Sequence, residues 1–321
     1  MKIFITGGGG FVGSHLAEAE LNRGNQVTIL DISPPAKVKE LLDNPNFIYI
    51  QGDIMQAEVL EPLIADCDLL YHFAAIADPK VYCERPHDVL RLDLEGTQLA
   101  IKLAYKHHKK IVFASTSEVY GKNPKVPWKE EDDRVLGSTT LPRWSYSTSK
   151  AIGEHYCHAF GKLGLKYVIL RFFNFYGPKL DFIGQGRVMT CFLDKFLNGG
   201  PVEVVEPGNQ TRCFTYISDG VEGIVRAAHT PEAEGLTFNL GLPVETSMID
   251  LAQIMKKIGG FNNEIIIITC EKKYGKGYDD IFRRVPDVKR AKEILNWEAA
   301  VCLEDGLRMT IDYFKNNHNK I

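Results

Sequence analysis

The residues Gly7-Gly8-Gly9-Gly10-Phe11-Val12-Gly13 follow an apolar run at 3–6 and open a helical pattern at 12–23. A glycine-rich turn between a buried strand and a helix permits few folds. It allows a tight turn, close approach of backbone to a ligand, and close packing of helix on strand. Gly7, Gly10 and Gly13 fit Gly-x-x-Gly-x-x-Gly, and Gly8, Gly10 and Gly13 fit the tighter pattern. A helix starting near Phe11 or Val12 points its positive N-terminus at an anion. In this context Gly7, Gly10, Phe11, Val12 and Gly13 are expected to surround the pyrophosphate of a dinucleotide.

Five further apolar runs, at 26–30, 46–50, 69–72, 111–115 and 167–171, read as buried strands. Helical spacing is present at 12–23, 89–106 and 147–162. This alternation predicts an α/β fold with a doubly wound parallel sheet. Asp31 ends the second run; its carboxylate suits ribose hydroxyls and repels a 2′-phosphate, so NAD is expected over NADP. Asp53-Ile54 follows the third run and is expected to meet the adenine ring. A dinucleotide-binding domain is expected over 1–176. A smaller substrate-binding lobe is expected over 177–321, across the carboxyl ends of the strands. The chain is expected to return to the sheet near 237–241. Later helices are expected at 247–257, 289–295 and 303–315. The segment 122–143 has no periodicity and holds three prolines and an acidic run, so it is expected to form a wall or lid.

Tyr146 and Lys150 stand four residues apart, on one face of a helix. A phenol is a poor base at neutral pH, and a nearby ammonium favours its phenolate. The pair is therefore expected to take the proton of an alcohol, with Lys150 also reaching the cofactor ribose. Thr116 offers a hydroxyl to the same substrate group. Glu118 points further. Moving a hydride off a sugar and back needs no carboxylate, whereas elimination or decarboxylation uses groups that take a proton or orient a departing carboxylate. Asn174 is expected at the sugar or diphosphate, and Arg187 and Arg212 at the diphosphate, whose oxygens match guanidinium forks. His72 is expected beside the cofactor, not as a base. No Gly-x-Ser-x-Gly elbow is present for hydrolysis.

Net charge is −3, with no basic stripe for nucleic acid. The seven cysteines are scattered without Cys-x-x-Cys spacing, so neither a disulfide framework nor a metal site is expected. No apolar run approaches the ~20 residues that span a bilayer, and the chain enters its first strand directly after Met1. A cytoplasmic protein without membrane or nucleic-acid partners is expected.

Several segments together resemble the extended short-chain dehydrogenase/reductases that act as nucleotide-sugar epimerases, dehydratases and decarboxylases. They are Thr6-Gly7 through Gly13, His72-Phe73-Ala74-Ala75, Leu94-Glu95-Gly96-Thr97, Ser115 through Gly121, the Tyr146/Lys150 pair, Arg171 through Pro178, and Gln210-Thr211-Arg212-Cys213-Phe214. The resemblance implies a Rossmann-type domain, tightly held NAD contacted also by Ala74 and Ala75, C4 oxidation of the sugar, and a homodimer formed through helices near 89–106 and 147–162. Three segments resemble the UDP-glucuronate decarboxylases: Pro142-Arg143-Trp144-Ser145-Tyr146, Gly177 through Asp181, and Tyr274 through Asp280 followed by Arg284 and Pro286. This resemblance implies that Arg284 assists the carboxylate chemistry and that Tyr278 meets a UDP-linked sugar; Ser117 is expected among the substrate-binding residues. Decarboxylation of UDP-glucuronate or a related hexuronate is the first expectation. A 4-epimerase is the second, and a 4,6-dehydratase, weakened by Ser117 in place of an aspartate, the third. A sugar-nucleotide sensor without catalysis is the alternative of another class.

Overall fold

The computed structural model describes residues 1–181, 184, 186–275 and 278–317. Six strands, β1 (Lys2–Thr6), β2 (Gln26–Asp31), β3 (Phe47–Gln51), β4 (Leu69–His72), β5 (Lys110–Thr116) and β6 (Tyr167–Phe172), join the strand Thr237–Leu240 in one parallel sheet. The spatial order is β3-β2-β1-β4-β5-β6 and then Thr237–Leu240. Thr6 at the end of β1 pairs with Leu30 on one side and His72 on the other. The chain therefore winds outward in both directions from β1. Such a reversal opens a crevice at the carboxyl ends of the strands.

Alternation along the strands builds two cores. Ile3, Ile5, Val112, Val168 and Leu170 face one side, where Leu16, Ala17 and Ile224 cover them. Phe4, Ile111, Phe113 and Ile169 face the other, against Ile64, Ala104 and Cys157. Each such side chain contributes about 1.5–3 kcal/mol through burial, and the period of two fixes which face it serves.

The helices are α1 (Phe11–Asn22), α2 (Ala57–Asp66), α3 (Pro79–Glu84), α4 (Pro86–Val89), α5 (Thr97–Lys106), α6 (Trp144–Gly161), α7 (Val188–Asn198) and α8 (Ile217–His229). Two expectations are refined. The helix expected at 89–106 is present but not α-helical throughout, because Leu90–Gly96 forms a π-helical turn that joins α4 to α5 without a break. The helix expected from 147 starts at Trp144, whose ring is buried with Val119, Tyr120, Trp128 and Phe173 and anchors the first turn. The expected return strand and the helices Met248–Gly259, Lys289–Leu295 and Leu303–Asn317 are present.

The irregular segment 122–143 is a wall. Trp128 is fully buried and stacks on Tyr120 with ring centres 4.9 Å apart. Its N–H donates to Val285 O, and its carbonyl accepts the Asp287 N–H, both at 2.8 Å. Opening this segment would expose a tryptophan and break a backbone bridge.

Candidate active site

A cleft of about 990 Å³ lies at the carboxyl ends of the strands. All the residues singled out above as catalytic, cofactor-binding or substrate-binding line it. Lys276 and Gly277, inside one of the resembling segments, lie outside the described residues.

At one end the glycine turn forms a bare cradle. Gly7 has φ +73°, and a Cβ added there would stand 2.6 Å from Ala74 N. A Cβ on Gly13 would stand 2.4 Å from Gly7 O. Gly10 caps α1 without a side-chain hydrogen bond, and the first turn carries no acidic residue. The N–H groups of that turn are thus left for an anion. Asp31 is fixed by two backbone donors, Gly9 N–H to Oδ2 and Ser33 N–H to Oδ1, each at 2.9 Å. Asp53 accepts the Met55 N–H at 2.9 Å, beside buried Ile54. Ala74 and Ala75 follow β4 along the floor. Chain beyond Tyr176 ties down over α1: His15 Nε2 meets Pro178 O at 2.9 Å, Lys37 Nζ donates to Leu180 O at 2.5 Å, and Lys179 pairs with Glu18. An uncapped helix start, a glycine cradle and a fixed carboxylate fit a dinucleotide with free ribose hydroxyls.

In the middle of the cleft stand Thr116, Tyr146 and Lys150. Thr116 ends β5, and its Oγ1 accepts the Glu118 N–H at 3.3 Å. Tyr146 and Lys150 share a face of α6, with the Lys150 Nζ 6.0 Å from the phenol ring centre. Lys150 donates to Ala114 O at 3.0 Å. The environment of the Tyr146 phenol extends beyond Lys150. Burial, then the carboxylates of Asp93 and Glu118, push it well above the ordinary tyrosine range; Arg187 and a hydrogen bond with Thr116 act the other way. His72 is fully buried and hydrogen-bonds Thr6 and Thr97 at 2.8 and 3.0 Å. Burial, then the charge of Lys150, lower it to about 3, so it is neutral and not a base.

Glu118 occupies the next position and is clamped. Arg143 Nη1 donates to its Oε2 at 2.5 Å, and Arg284 Nη1 donates to its Oε1 at 2.9 Å. Burial pushes the carboxyl up, but the two guanidinium groups outweigh it and hold Glu118 at about 2. A carboxylate in that state is a fixed anion, not a resting base. Beside it, Arg212 is bidentate to Asp280, with both contacts at 2.9 Å. The cluster joins three guanidinium groups to two carboxylates and keeps one positive charge in excess.

Arg187 and Arg212, expected at a diphosphate, already hold carboxylates, since Arg187 Nη1 contacts both oxygens of Asp181 at 2.7 and 2.8 Å. Ser117 is buried at the cleft wall. Asn174 has φ +42° and donates to Cys213 O at 3.0 Å, which leaves its carbonyl oxygen for other partners. Tyr278 stacks on Tyr274 at 4.1 Å. Two residues escaped the sequence reading. Arg143 is fully buried, with its guanidinium 4.8 Å from the Trp144 ring centre and 5.4 Å from that of Tyr278. Tyr82, from α3, lies face to face on Tyr146 at 4.6 Å and 6°. Arg143 sat in a resembling segment without being assigned a role. Tyr82 had a signal only in the start of its helix, where Asp78 accepts the Lys80 N–H next to Pro79. Among the described residues no group of three His, Cys, Asp or Glu side chains is placed to hold a metal, and no helix is long and apolar enough to cross a membrane.

Comparison with known proteins gives the cleft a context. The sequence profile of the NAD dependent epimerase/dehydratase family matches residues 3–241. The chain is 37% identical to UDP-N-acetyl-alpha-D-glucosaminuronate decarboxylase of Bacillus cytotoxicus, over 99% of both chains. Among solved structures it is similar to UDP-glucuronic acid 4-epimerase from Bacillus cereus in complex with UDP-glucuronic acid and NAD. There the identity is 29% and the TM-score 0.87, over 98% of this chain and 99% of that one. It is also similar to UDP-glucose 4-epimerase from Thermotoga maritima, with 29% identity and a TM-score of 0.89, over 99% of this chain and 100% of that one.

Proposed function

Because the chain belongs to the NAD-dependent epimerase/dehydratase family, we propose that it is the enzyme that decarboxylates a UDP-linked hexuronate through transient oxidation at sugar C4. The observation that carries this reading is the clamp of Arg143 and Arg284 on Glu118, with its excess positive charge next to Tyr146. A neutral hexose has no group that needs that charge. A hexuronate brings one carboxylate, which balances it. The relative at 37% identity, itself a decarboxylase of a UDP-linked uronate, points the same way.

Tyr146 takes the O4 proton while C4 loses its hydride, with Thr116 sharing the hydrogen bond. When bound, NAD accepts and returns that hydride and supplies a positive charge that opposes the two carboxylates raising the phenol. The C4 ketone makes the C5 carboxylate a β-keto acid. The C5–C6 bond then breaks, and its electron pair spreads onto the C4 oxygen, where Tyr146, now protonated, and Thr116 donate hydrogen bonds. Arg284 and Arg143 orient the carboxylate end through the rigid Glu118 pair. Once C5 has regained a proton, Tyr146 gives its own back to O4.

A 4-epimerase would share the first step and lack the second. The likeness to two solved 4-epimerases favours it as the second reading. Product analysis separates the two: the proposed reaction releases CO₂ and leaves a UDP-pentose or its 4-ketone, whereas epimerisation leaves the mass unchanged.

The cofactor cradle has its own test. A methyl at residue 13 must displace Gly7 O or Gly8 Cα, 2.4 and 2.6 Å away, and both belong to the turn that faces the pyrophosphate. Gly13→Ala is expected to lower the NAD content of the purified protein at least about tenfold, a loss near 1.4 kcal/mol of binding. Cofactor released on denaturation measures it, and full occupancy would place the dinucleotide elsewhere.

A further inference from the structure

Arg284, on which the proposed decarboxylation depends, is carried by a strand of two residues. The strand Arg283–Arg284 runs parallel to the strand Thr211–Cys213, with Arg283 beside Thr211 and Arg284 beside Arg212. On the other side of Thr211–Cys213 the strand Glu245–Ser247 runs antiparallel, with Thr246 opposite Arg212 and Glu245 opposite Cys213. Side chains alternate between the faces of a sheet, and paired residues share a face. Arg212, Thr246 and Arg284 therefore share the inner face, where all three are buried. Thr211, Arg283 and Glu245 share the outer one.

A two-residue strand has few ladder bonds to hold its register. Phe282 O, just before it, accepts the Thr211 N–H at 3.0 Å, and Val285 O, just after it, accepts the Trp128 N–H at 2.8 Å. Between those ties the outer face supplies a third. Arg283 meets Glu245 through two hydrogen bonds, Nε to Oε2 at 3.0 Å and Nη2 to Oε1 at 2.5 Å. The Thr211 hydroxyl donates to the same Oε2 at 2.5 Å. One carboxylate thus joins all three strands. Forked pairing fixes the orientation of a guanidinium as well as its position. Neither Arg283 nor Glu245 lines the cleft, and their side chains are 49% and 28% exposed. Earlier in the same segment, Asp279 accepts from Lys122 of the wall at 2.7 Å. Asp279 and Arg283 thus pair with neighbouring elements, while Asp280 and Arg284 build the cluster around Glu118.

We propose that Glu245 and Arg283 are positioning residues for the decarboxylation step: their outer clamp sets the register of the two-residue strand and so holds the Arg284 guanidinium at Glu118. This rests on the role given above to Arg284. Misplacing Arg284 weakens the hold on the C5 carboxylate and leaves Thr116, Tyr146 and Lys150, on β5 and α6, where they are. The clamp therefore acts on the loss of CO₂ and not on hydride transfer.

Glu245→Gln removes the charge and keeps an acceptor for Thr211. The test uses holoenzyme and carboxyl-labelled UDP-glucuronate or UDP-N-acetylglucosaminuronate, whichever the wild type converts, in a single turnover at saturating substrate. Reduced nicotinamide reports oxidation at C4, and released label reports the loss of CO₂. The expected result is CO₂ release slowed about fivefold, the size of a well-formed exposed pair, with the rate of nicotinamide reduction unchanged, so that reduced cofactor accumulates. Arg283→Gln is expected to do the same, and serves should Glu245→Gln be unstable. Combining Glu245→Arg with Arg283→Glu is expected to bring CO₂ release back to within about twofold of the wild type. Unchanged CO₂ release in the single variants, both steps slowed alike, or a swap no faster than either single variant overturns the assignment. Arg284→Gln separates the two levels: if it slows CO₂ release and the clamp variants do not, only the clamp falls. If Arg284→Gln decarboxylates at the wild-type rate, the role of Arg284 falls as well.

Discussion

Tyr146→Phe is expected to stop turnover, by at least about a thousandfold, while the protein keeps its NAD. The size follows from the general contribution of a positioned base, about 10²–10⁴-fold, and from the environment of this phenol. Of the other two members of the Thr116–Tyr146–Lys150 set, a hydroxyl and an ammonium, neither can take up the substrate proton in its place. Cofactor retention follows because the phenyl ring remains. It still lies on Tyr82 at 4.6 Å, and the glycine cradle and Asp31 are untouched. Steady-state turnover together with bound NAD per chain measures both halves. Loss of NAD along with activity would mean that the hydroxyl binds cofactor and is not the base.

Glu118→Gln is expected to damage folding and decarboxylation together. The amide leaves Arg143 and Arg284, both buried, without the anion that pairs them. Breaking a buried pair from one side costs about 3–5 kcal/mol. Linkage sets the pH dependence. Glu118 is depressed from 4.5 to about 2 in the folded protein, so its stabilisation, about 3 kcal/mol, is fully present above pH ~4.5 and lost as pH falls through about 2. Denaturant unfolding is therefore expected to show the wild type well ahead of the variant at neutral pH, with the gap closing in strong acid. Decarboxylation by the folded variant is expected to fall about a hundredfold or more, because the arginines lose their fixed spacing. A variant that keeps most of its rate would count against the clamp and move the balance to the 4-epimerase.

What could be read from the sequence depended on whether a signal was local. The sheet was legible because buried parallel strands carry continuous apolar runs bounded by polar residues, as at Leu69–His72. The glycine turn and Asp31 were legible because their roles follow from backbone chemistry near each residue. Helices α7 and α8 carried the right spacing, with Met189, Phe192, Leu193 and Phe196 buried in one and Ile217, Val221, Ile224 and Val225 in the other. Surrounding glycines and prolines hid them. The site's electrostatics were not legible at all. Arg143 and Arg284 meet on Glu118 from 25 and 166 residues away along the chain, and only the fold brings them there. The same holds for the phenol: the four-residue spacing placed Lys150 on the correct face of α6, but burial and distant carboxylates decide the proton affinity of Tyr146.

The most direct test supplies the holoenzyme with UDP-glucuronate, and in parallel with UDP-N-acetylglucosaminuronate, each labelled at the carboxyl carbon. The account predicts labelled CO₂ in step with substrate loss, and a nucleotide product lighter by that one carbon dioxide. Substrate converted to a product of unchanged mass, with all label retained, would contradict it.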